Sequence, residues 1–401
     1  MTDALLTLNA GSSSLKASVF EVADGAPSLA LRGEVEGFGL APQFTARDPG
    51  GVVVEQRTWP DGDGAFETIL DYVVRWAEAH LGGAVLLAVG HRVVHGGRDH
   101  VGPERVTPRL LEALERLIPL APLHQPHNLA PIRAIAAARP DLPQVACFDT
   151  AFHATMPPVA TRFALPREYE LAGVRRYGFH GLSYEHIADC LTHVAPHLAA
   201  GKAVAAHLGA GASLCAMEGG VSMDTTMGFT ALDGLVMATR CGTLDAGVIL
   251  YLQREQGLAV DEVESILYNR SGLLGVSGFS GDMRALLASD DPRAAEAVEL
   301  FVYRIAREIG ALASVLGGLN GLVFTAGVGE HSPVIRARVC ERLAWLGVVL
   351  DEAANAIAAD LISAPSSAIE VRVIPADEEA TIARHTLHVV SGNQRHSPPL
   401  K

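Results

Sequence analysis

Residues 8–16 read Leu-Asn-Ala-Gly-Ser-Ser-Ser-Leu-Lys, and they connect two apolar runs that we predict to be strands. Phosphate oxygens need close backbone approach and several N–H or hydroxyl donors. Gly11 permits a tight turn, Ser12, Ser13 and Ser14 offer hydroxyl groups, and Lys16 adds a positive charge. The segment lacks the Gly-Lys-Ser/Thr ending of a Walker loop, and taken alone it fits a plain β-hairpin better.

A second segment, residues 208–213, reads Leu-Gly-Ala-Gly-Ala-Ser and shares Leu, Ala, Gly and Ser with residues 8–13 at matching places. Each segment follows a predicted strand and precedes another apolar run. The echo favours a chain built from two related halves. The alternative is that two small-residue hairpins resemble each other by chance.

Length and charge limit the function classes. The chain has 401 residues, which exceeds the size at which one hydrophobic core keeps growing, so we expect two domains. Its formal net charge of −14 disfavours a nucleic-acid partner, because such binding depends on cations laid against phosphates. An anionic substrate must therefore meet a local cluster of Arg and His.

The five cysteines indicate the cellular compartment of the protein. They show neither metal-ligand spacing nor the density of a disulfide scaffold. We expect a reducing cytoplasm, and residues 1–8 lack the pattern of a secretory signal. The longest uncharged stretch, residues 310–329, is long enough for a membrane span. Gly317-Gly318 and Asn320 instead predict a helix end, a turn and a strand, so we expect no membrane partner.

Short apolar runs alternate with helical patterns, which is typical of α/β folds with buried sheets. The predicted strands are Leu5–Leu8, Lys16–Phe20, Leu86–Val89, Val145–Phe148, Val204–His207, Leu322–Thr325 and Val371–Ile374. One helix has clear boundaries, since Asp291 can cap it, Pro292 suits its first turn and Gly317 can end it. We interpret that helix as scaffold.

Two further glycine-rich segments, residues 207–211 and 327–330, each follow a predicted strand, and we predict both to be phosphate-type turns. Open α/β sheets hold ligands at the carboxyl ends of their strands. Three such turns are hard to explain as ordinary loops between secondary-structure elements.

Charged and imidazole groups lie near these turns. Arg92 ends a predicted strand, where it could clamp a carboxylate or phosphate at two points or form a surface ion pair. Asp149 follows another strand and suits a metal site, a catalytic acid or a helix cap. His180 lies in a Gly-Phe-His-Gly segment, where it could approach a ligand or be a buried structural histidine.

Two more segments offer charged groups. Arg240 has a small neighbour on its carboxyl side in Thr-Arg-Cys-Gly. Asp377-Glu378-Glu379 offers hard oxygen ligands for magnesium, or begins a helix.

The chain resembles the acetate kinase family. The resemblance spans nearly the whole chain in the family's usual order, through residues 9–16, 91–97, 120–124, 148–153, 176–181, 223–230 and 271–278. It implies a two-lobed, duplicated α/β fold of the actin-like ATPase (ribonuclease H-like) class with a nucleotide cleft between the lobes. The lobes would be residues 1–150 with 380–401, and residues 151–379.

The resemblance also implies the reaction and its residues. ATP would phosphorylate acetate or another short-chain carboxylate with magnesium, or manganese as an alternative, in a homodimer. Catalytic roles fall to Asp149, His180 and Arg240, substrate binding to Arg92 and His124, and metal binding to Asn9 and Glu378. Nucleotide contacts fall to Ser12, Ser14, Lys16, His207, Leu208, Gly209, Ala210, Gly211, Asp282, Met283, Arg284, Gly327, Val328, Gly329, Glu330 and His331.

Three positions depart from the family pattern, in which asparagine is usual where this chain has Ala210, His331 and Asp377. All three lie on the nucleotide or metal side. The residues expected to hold the carboxylate and the phosphoryl group are intact. The remaining alternatives are a propionate or butyrate kinase and an ATP-driven binding module of the actin or Hsp70 kind.

Overall fold

The computed structural model describes residues 3–11, 14–38, 41–60 and 65–392. These residues form two compact units. The first unit comprises the described residues up to Phe152 and from Asp377 onward, and the second is His153–Ala376. The sequence-based division placed the boundaries after residues 150 and 379.

The first unit contains a sheet in the order β5-β4-β3-β2-β1-β6-β8-β7. Its strands are β1 (Asp3–Ala10), β2 (Ser14–Ala23), β3 (Ala26–Glu36), β4 (Gln43–Arg47), β5 (Val53–Thr58), β6 (Val85–Val93), β7 (Glu104–Arg105) and β8 (Gln144–Phe148). The second unit contains a sheet in the order β11-β10-β9-β12-β13. Its strands are β9 (Lys202–Leu208), β10 (Ala212–Glu218), β11 (Val221–Thr225), β12 (Gly321–Thr325) and β13 (Glu370–Val373).

The two sheets share one topology. β1 pairs antiparallel with β2 and parallel with β6, just as β9 pairs antiparallel with β10 and parallel with β12. The correspondence extends one strand further on each side. β2 pairs antiparallel with β3, as β10 does with β11. β6 pairs parallel with β8, as β12 does with β13. The predicted duplication is confirmed, and the two matching glycine-rich segments join the central hairpin of each sheet.

Sixteen helices surround the sheets in the described residues. They are α1 (Phe66–Ala79), α2 (Pro108–Glu115), α3 (Gln125–Ala138), α4 (Pro158–Thr161), α5 (Arg167–Leu171), α6 (Gly181–Val194), α7 (Pro196–Ala199), α8 (Ala246–Arg254), α9 (Val260–Asn269), α10 (Gly272–Ser277), α11 (Met283–Leu287), α12 (Pro292–Leu316), α13 (Ala326–His331), α14 (Pro333–Arg342), α15 (Glu352–Ala356) and α16 (Glu378–Val390). Short 3₁₀ turns occur at Ile118–Leu120, Ala151–Thr155 and Ala344–Leu346.

Helix α12 has the boundaries that the sequence predicts. The Asp291 carboxylate accepts a hydrogen bond from the Arg293 N–H at 2.9 Å, Pro292 occupies the first turn, and Gly317 ends the helix with φ 65°. The chain then enters β12, so the uncharged stretch is a helix end, a turn and a strand, as predicted. Within residues 3–11, 14–38, 41–60 and 65–392, no helix has the length and apolar character needed to cross a membrane.

All seven predicted strands are present, the last ending one residue early, at Val373. The prediction of a turn at residues 327–330 is wrong, because this segment lies within helix α13. The carboxyl ends of the parallel strands β1, β6 and β8 meet at one edge of the first sheet, and those of β9 and β12 meet at one edge of the second. These two edges position the candidate site residues.

Candidate active site

Arg92 and Asp149 form a two-point ion pair at the edge of the first sheet. Arg92 lies near the end of β6, and Asp149 directly follows the adjacent parallel strand β8. The Arg92 Nε donates to Asp149 Oδ1 at 3.0 Å, and Nη2 donates to Oδ2 at 2.6 Å. Asp149 is completely buried, whereas the Arg92 side chain keeps 22% of its exposure. The Arg92 side chain therefore stays partly accessible while the orientation of its guanidinium is fixed.

Burial and charge act in opposite directions on this pair. Burial raises the pKa of Asp149 to about 6, although the Arg92 charge favours the carboxylate. Burial lowers the pKa of Arg92, but the charges of Asp149 and Glu378 outweigh it, and the pKa lies above its usual value. Near neutral pH both groups are ionised, so Asp149 serves as an anchor for Arg92.

Oxygen ligands collect beside this pair. Arg92 Nη1 donates to Asn9 Oδ1 at 3.1 Å, and Asn9 Nδ2 donates to Glu378 Oε2 at 3.2 Å and to Glu379 Oε1 at 3.5 Å. Lys16 is paired with Asn9 across the β1–β2 hairpin. Burial and the Glu378 charge raise the pKa of Glu379, and the Lys16 charge opposes them.

This donor set fits magnesium, which prefers amide and carboxylate oxygens. Asn9 and Glu378, the two predicted ligands, lie within hydrogen-bond distance of each other. Glu378 and Glu379 repel each other, and a divalent cation would relieve that repulsion. In the described part of the chain, no group of three or more His, Cys, Asp or Glu residues has the arrangement of a metal site. The fit therefore depends on an amide and on substrate oxygens as well as on carboxylates.

Asp377 has other partners. Its Oδ1 accepts from the Ala380 N–H at 3.0 Å and caps helix α16, and its Oδ2 accepts from Arg32 Nη2 at 2.9 Å. An asparagine at this position could cap the helix but could not form the ion pair. Asp377 departs from the family pattern but still caps α16. The first turn of α16, which carries Glu378 and Glu379, therefore stays in place.

Two more predicted residues of the first unit, Ser14 and His124, lie within the described residues. Gly11 N–H donates to Ser14 O at 2.8 Å in the predicted turn, and Asn128 Nδ2 donates to Ala10 O at 2.6 Å. His124 lies directly before α3 and is half-buried. Ser12 lies outside the described residues.

In the second unit, His180 has an unusual backbone conformation. Its φ of 60° and ψ of 23° lie in the left-handed region, which a non-glycine residue rarely adopts. Its ring stacks on His207 with centroids 4.1 Å apart and planes 19° apart, and its Nδ1 lies 2.8 Å from Ser213 Oγ. The imidazole is thus held on two sides.

Gly211 makes room for a guanidinium and an imidazole. A Cβ atom at this position would lie 2.8 Å from Arg240 Nη2 and 3.3 Å from His180 Nε2. Arg240 Nη1 donates to Ala231 O at 2.6 Å, which fixes its guanidinium. His180 and Arg240, predicted from separate motifs, therefore converge on the second glycine-rich turn.

A pocket of about 640 Å³ lies beside this turn in the second unit. Its walls bring together members of three predicted nucleotide-binding segments, namely Gly209, Ala210, Asp282, Met283, Arg284, Gly327, Val328 and His331. A pocket of this size with apolar walls and a few polar groups suits a nucleoside. Ala210 and His331, two of the three departures, line it.

Other predicted nucleotide-binding residues do not line this pocket. Leu208 is fully buried at the end of β9, and the Glu330 carboxylate accepts from the Ala376 N–H at 2.9 Å. His207, Gly211 and Gly329 also lie outside the pocket lining.

Sequence reasoning missed the apolar walls of the pocket, which are Leu273, Leu287, Phe301, Pro333 and Val334. Phe301 lies on α12, so the helix that the sequence indicates as scaffold also contributes one side chain to the pocket.

Three comparisons place this geometry among known proteins. The model of the acetokinase family matches residues 4–384. An acetate kinase of Rhodopseudomonas palustris is 53% identical over 399 residues, covering 98% of this chain and 100% of that protein. A crystal structure of Porphyromonas gingivalis acetate kinase is similar with TM-score 0.85 and 35% identity, covering 97% of this chain and 100% of that one.

A propionate kinase structure from Francisella tularensis is similar with TM-score 0.88 and 32% identity, covering 96% of this chain and 98% of that one. Together the solved structures confirm the predicted duplicated α/β fold class.

Proposed function

Because the chain belongs to the acetokinase family, we propose that it transfers the γ-phosphoryl group of ATP to acetate, reversibly, and forms acetyl phosphate and ADP. One observation carries the proposal beyond the family relationship. The Arg92 guanidinium is accessible yet held in one orientation by a buried carboxylate. This is the arrangement needed to bind a small anionic substrate at a defined angle.

Arg92 binds the substrate carboxylate. A guanidinium has five N–H donors, and the contacts with Asp149 and Asn9 use three of them. The two that remain, on Nη1 and Nη2, can bind a carboxylate. Acetate has a pKa near that of a Glu side chain, about 4.3, so it is already ionised and needs no general base. Asp149 accordingly orients Arg92 and abstracts no proton.

His180 and Arg240 stabilise the transferring phosphoryl group. The attacking carboxylate and the γ-phosphate are both anions, so fixed positive charges and N–H donors lower the barrier. The Arg240 Nη2 and the His180 Nε2 both lie next to Gly211, within reach of one small group. The carboxylate oxygen attacks phosphorus in line with the leaving ADP oxygen, without a phosphoenzyme.

Asn9 and Glu378 hold magnesium, for which manganese is an alternative, and Glu379 adds negative charge beside them. When bound, the metal neutralises charge on the phosphate oxygens. Lys16 contributes a further cation near the same oxygens. The pocket beside Ala210 and His331 holds the nucleoside of ATP.

A homodimer is also part of the proposal, and helix α8 supports it. None of the nine residues of this apolar helix is buried, and Val248, Leu250 and Tyr251 are 39%, 48% and 53% exposed. A second copy of the chain would cover these side chains. None of the five cysteines, all within the described residues, forms a disulfide, which supports a reducing compartment such as the cytoplasm.

Propionate is the second candidate substrate, because one similar solved structure is that of a propionate kinase. One or two methylene groups discriminate only weakly between acids in an apolar pocket. The test incubates the purified chain with magnesium, ATP and hydroxylamine plus acetate, propionate, butyrate or glycerol. We expect acyl hydroxamate and ADP to form in equal amounts, and we expect more of both with acetate than with the other compounds. No hydroxamate from any acid would refute the kinase proposal.

A further inference from the structure

Two side chains that the reaction scheme above leaves unused, Tyr184 and Ser213, form a continuous hydrogen-bonded chain with His180 in the second unit. Tyr184 Oη contacts Ser213 Oγ, and Ser213 Oγ lies 2.8 Å from His180 Nδ1. Ser213 and Tyr184 are completely buried. Tyr184 lies one helical turn after His180 in α6, and its N–H donates to His180 O at 3.1 Å. A buried polar chain of this kind persists only when its members satisfy one another.

The direction of the protons along this chain follows from its far end. Burial raises the pKa of Tyr184 well above its usual value, so the phenol stays protonated. A protonated phenol can donate to Ser213 Oγ, and this is the direction that we assign to their contact. Ser213 then donates its own proton to His180 Nδ1. A neutral imidazole that accepts at Nδ1 carries its proton on Nε2.

The ring is also fixed in orientation. His180 stacks on His207, and His207 Nδ1 lies 2.8 Å from Ser183 Oγ. Nε2 of His180 faces Gly211, where a Cβ atom would approach it to 3.3 Å. The Arg240 Nη2 group approaches the same point.

We propose that Ser213 and Tyr184 are positioning residues that hold His180 as the Nε2-protonated tautomer and direct its N–H toward the transferring phosphoryl oxygen. The identity of that acceptor rests on the proposed function, whereas the tautomer does not. Neither residue contacts substrate in this scheme. Both act through the imidazole, in the way that outer residues fix the tautomer of metal-bound histidines.

The first test reads the tautomer without substrate. Long-range ¹H–¹⁵N NMR of the full chain, labelled at histidine nitrogens, distinguishes an accepting Nδ1 from a protonated one, and a His180→Asn variant identifies the His180 signals. We expect an accepting Nδ1 in the wild type and a mixture of tautomers in Ser213→Ala. A protonated Nδ1 in the wild type, or an unchanged signal in Ser213→Ala, would overturn the proposal.

The second test uses steady-state kinetics. Ser213→Ala and Tyr184→Phe should each lower kcat by about tenfold or more, against roughly 10²–10³-fold for His180→Ala, with KM for both substrates nearly unchanged. Ser18→Ala is the matched control, because it removes another buried hydroxyl, in the first unit. Wild-type kcat in both variants would overturn the proposal. If Ser213→Ala does not fold, Tyr184→Phe decides, because phenylalanine keeps the buried aromatic ring.

The two proposals can fail separately. A chain that forms no acyl phosphate from any acid would refute the proposed function, and the NMR result would still decide the tautomer. An active chain with wild-type kcat in the variants would refute only the positioning role.

Discussion

Arg92 and Asp149 meet through two hydrogen bonds, Nε to Oδ1 at 3.0 Å and Nη2 to Oδ2 at 2.6 Å, at the ends of adjacent parallel strands. The pair joins a buried anchor to a partly exposed binding group. Its rigidity gives a small carboxylate a defined orientation, which positioning catalysis requires.

Replacing Arg92 by lysine keeps the charge but loses the planar fork. We expect KM for acetate to rise about tenfold to a hundredfold, the range of one or two hydrogen bonds to a charged group, with KM for ATP nearly unchanged. Arg139→Lys is the matched control, because Arg139 also forms a two-point pair, with Glu78, in the same unit. An unchanged KM for acetate in Arg92→Lys would contradict the role of Arg92.

Adding one methyl group at Gly211 should displace both Arg240 and His180, because the new Cβ would lie 2.8 Å from Arg240 Nη2. Gly211→Ala is expected to lower kcat by roughly 10²-fold, the cost of losing one preorganised donor. Gly102→Ala, where a Cβ would meet no atom within 4 Å, is the control. Full activity in Gly211→Ala would show that Arg240 and His180 act elsewhere.

Removing the charge of Glu378 should weaken metal binding. Glu378→Gln is expected to raise the magnesium concentration for half-maximal rate by about tenfold or more. Asp377→Asn removes a charge from the preceding residue but keeps the cap of α16, and it loses only a partly exposed ion pair with Arg32. Titration of both variants with magnesium separates a ligand from a neighbouring charge, and equal magnesium dependence would argue against Glu378 as a ligand.

Stability should fall in mild acid. Burial lowers the pKa of His91, His95 and His153 to about 4, against about 6.5 in an unfolded chain. Between pH 6.5 and 4 the unfolded state therefore binds more protons than the folded state. As the pH falls through this window, each histidine lowers the free energy of unfolding by up to about 3 kcal/mol. Asp149, with its pKa raised to about 6, opposes this trend with one carboxyl group.

The measurement is the thermal unfolding midpoint between pH 8 and 4.5. His91→Gln removes one of the three groups and should flatten the pH dependence, while leaving the shape of the curve above pH 7 unchanged. A midpoint that is constant or rises on acidification would contradict these histidine pKa values.

Helix α8 should form the dimer interface. Leu250→Glu places a charge on its exposed apolar surface, so we expect the variant to be monomeric by light scattering while the wild type is dimeric. Val159→Glu is the control, because Val159 is an isolated apolar residue that is 86% exposed. A monomeric wild type would refute the dimer, and a dimeric Leu250→Glu would place the interface elsewhere.

The sequence predicts the central hairpins because small residues mark the turns and unbroken apolar runs mark buried strands. It does not predict β4 and β5, since strand β5 is exposed along almost its whole length and only its first two residues, Val53 and Val54, are apolar. The turn expected at residues 327–330 is helical in part because Arg336 binds the carbonyl oxygens of Gly329 and Glu330. That contact depends on folding and is invisible to local patterns.

The candidate site shows the same division. Arg92 and Asp149 can be singled out because each follows an apolar strand, but only the adjacency of β6 and β8 shows that they pair. Ser213 belongs to the segment that matches residues 8–13, but no pattern indicates its proposed role, which depends on what α6 places against it. Asp377, for which the sequence leaves a magnesium ligand and a helix start open, caps helix α16.

The central claim is that a carboxylate oxygen attacks the γ-phosphorus of ATP. It is tested most directly by supplying ¹⁸O-labelled acetate with magnesium-ATP and following the products by ³¹P NMR. The account predicts acetyl phosphate with one ¹⁸O bonded to phosphorus, formed in equal amount with ADP. ADP accompanied only by unlabelled inorganic phosphate would contradict it, because water rather than acetate would then be the nucleophile.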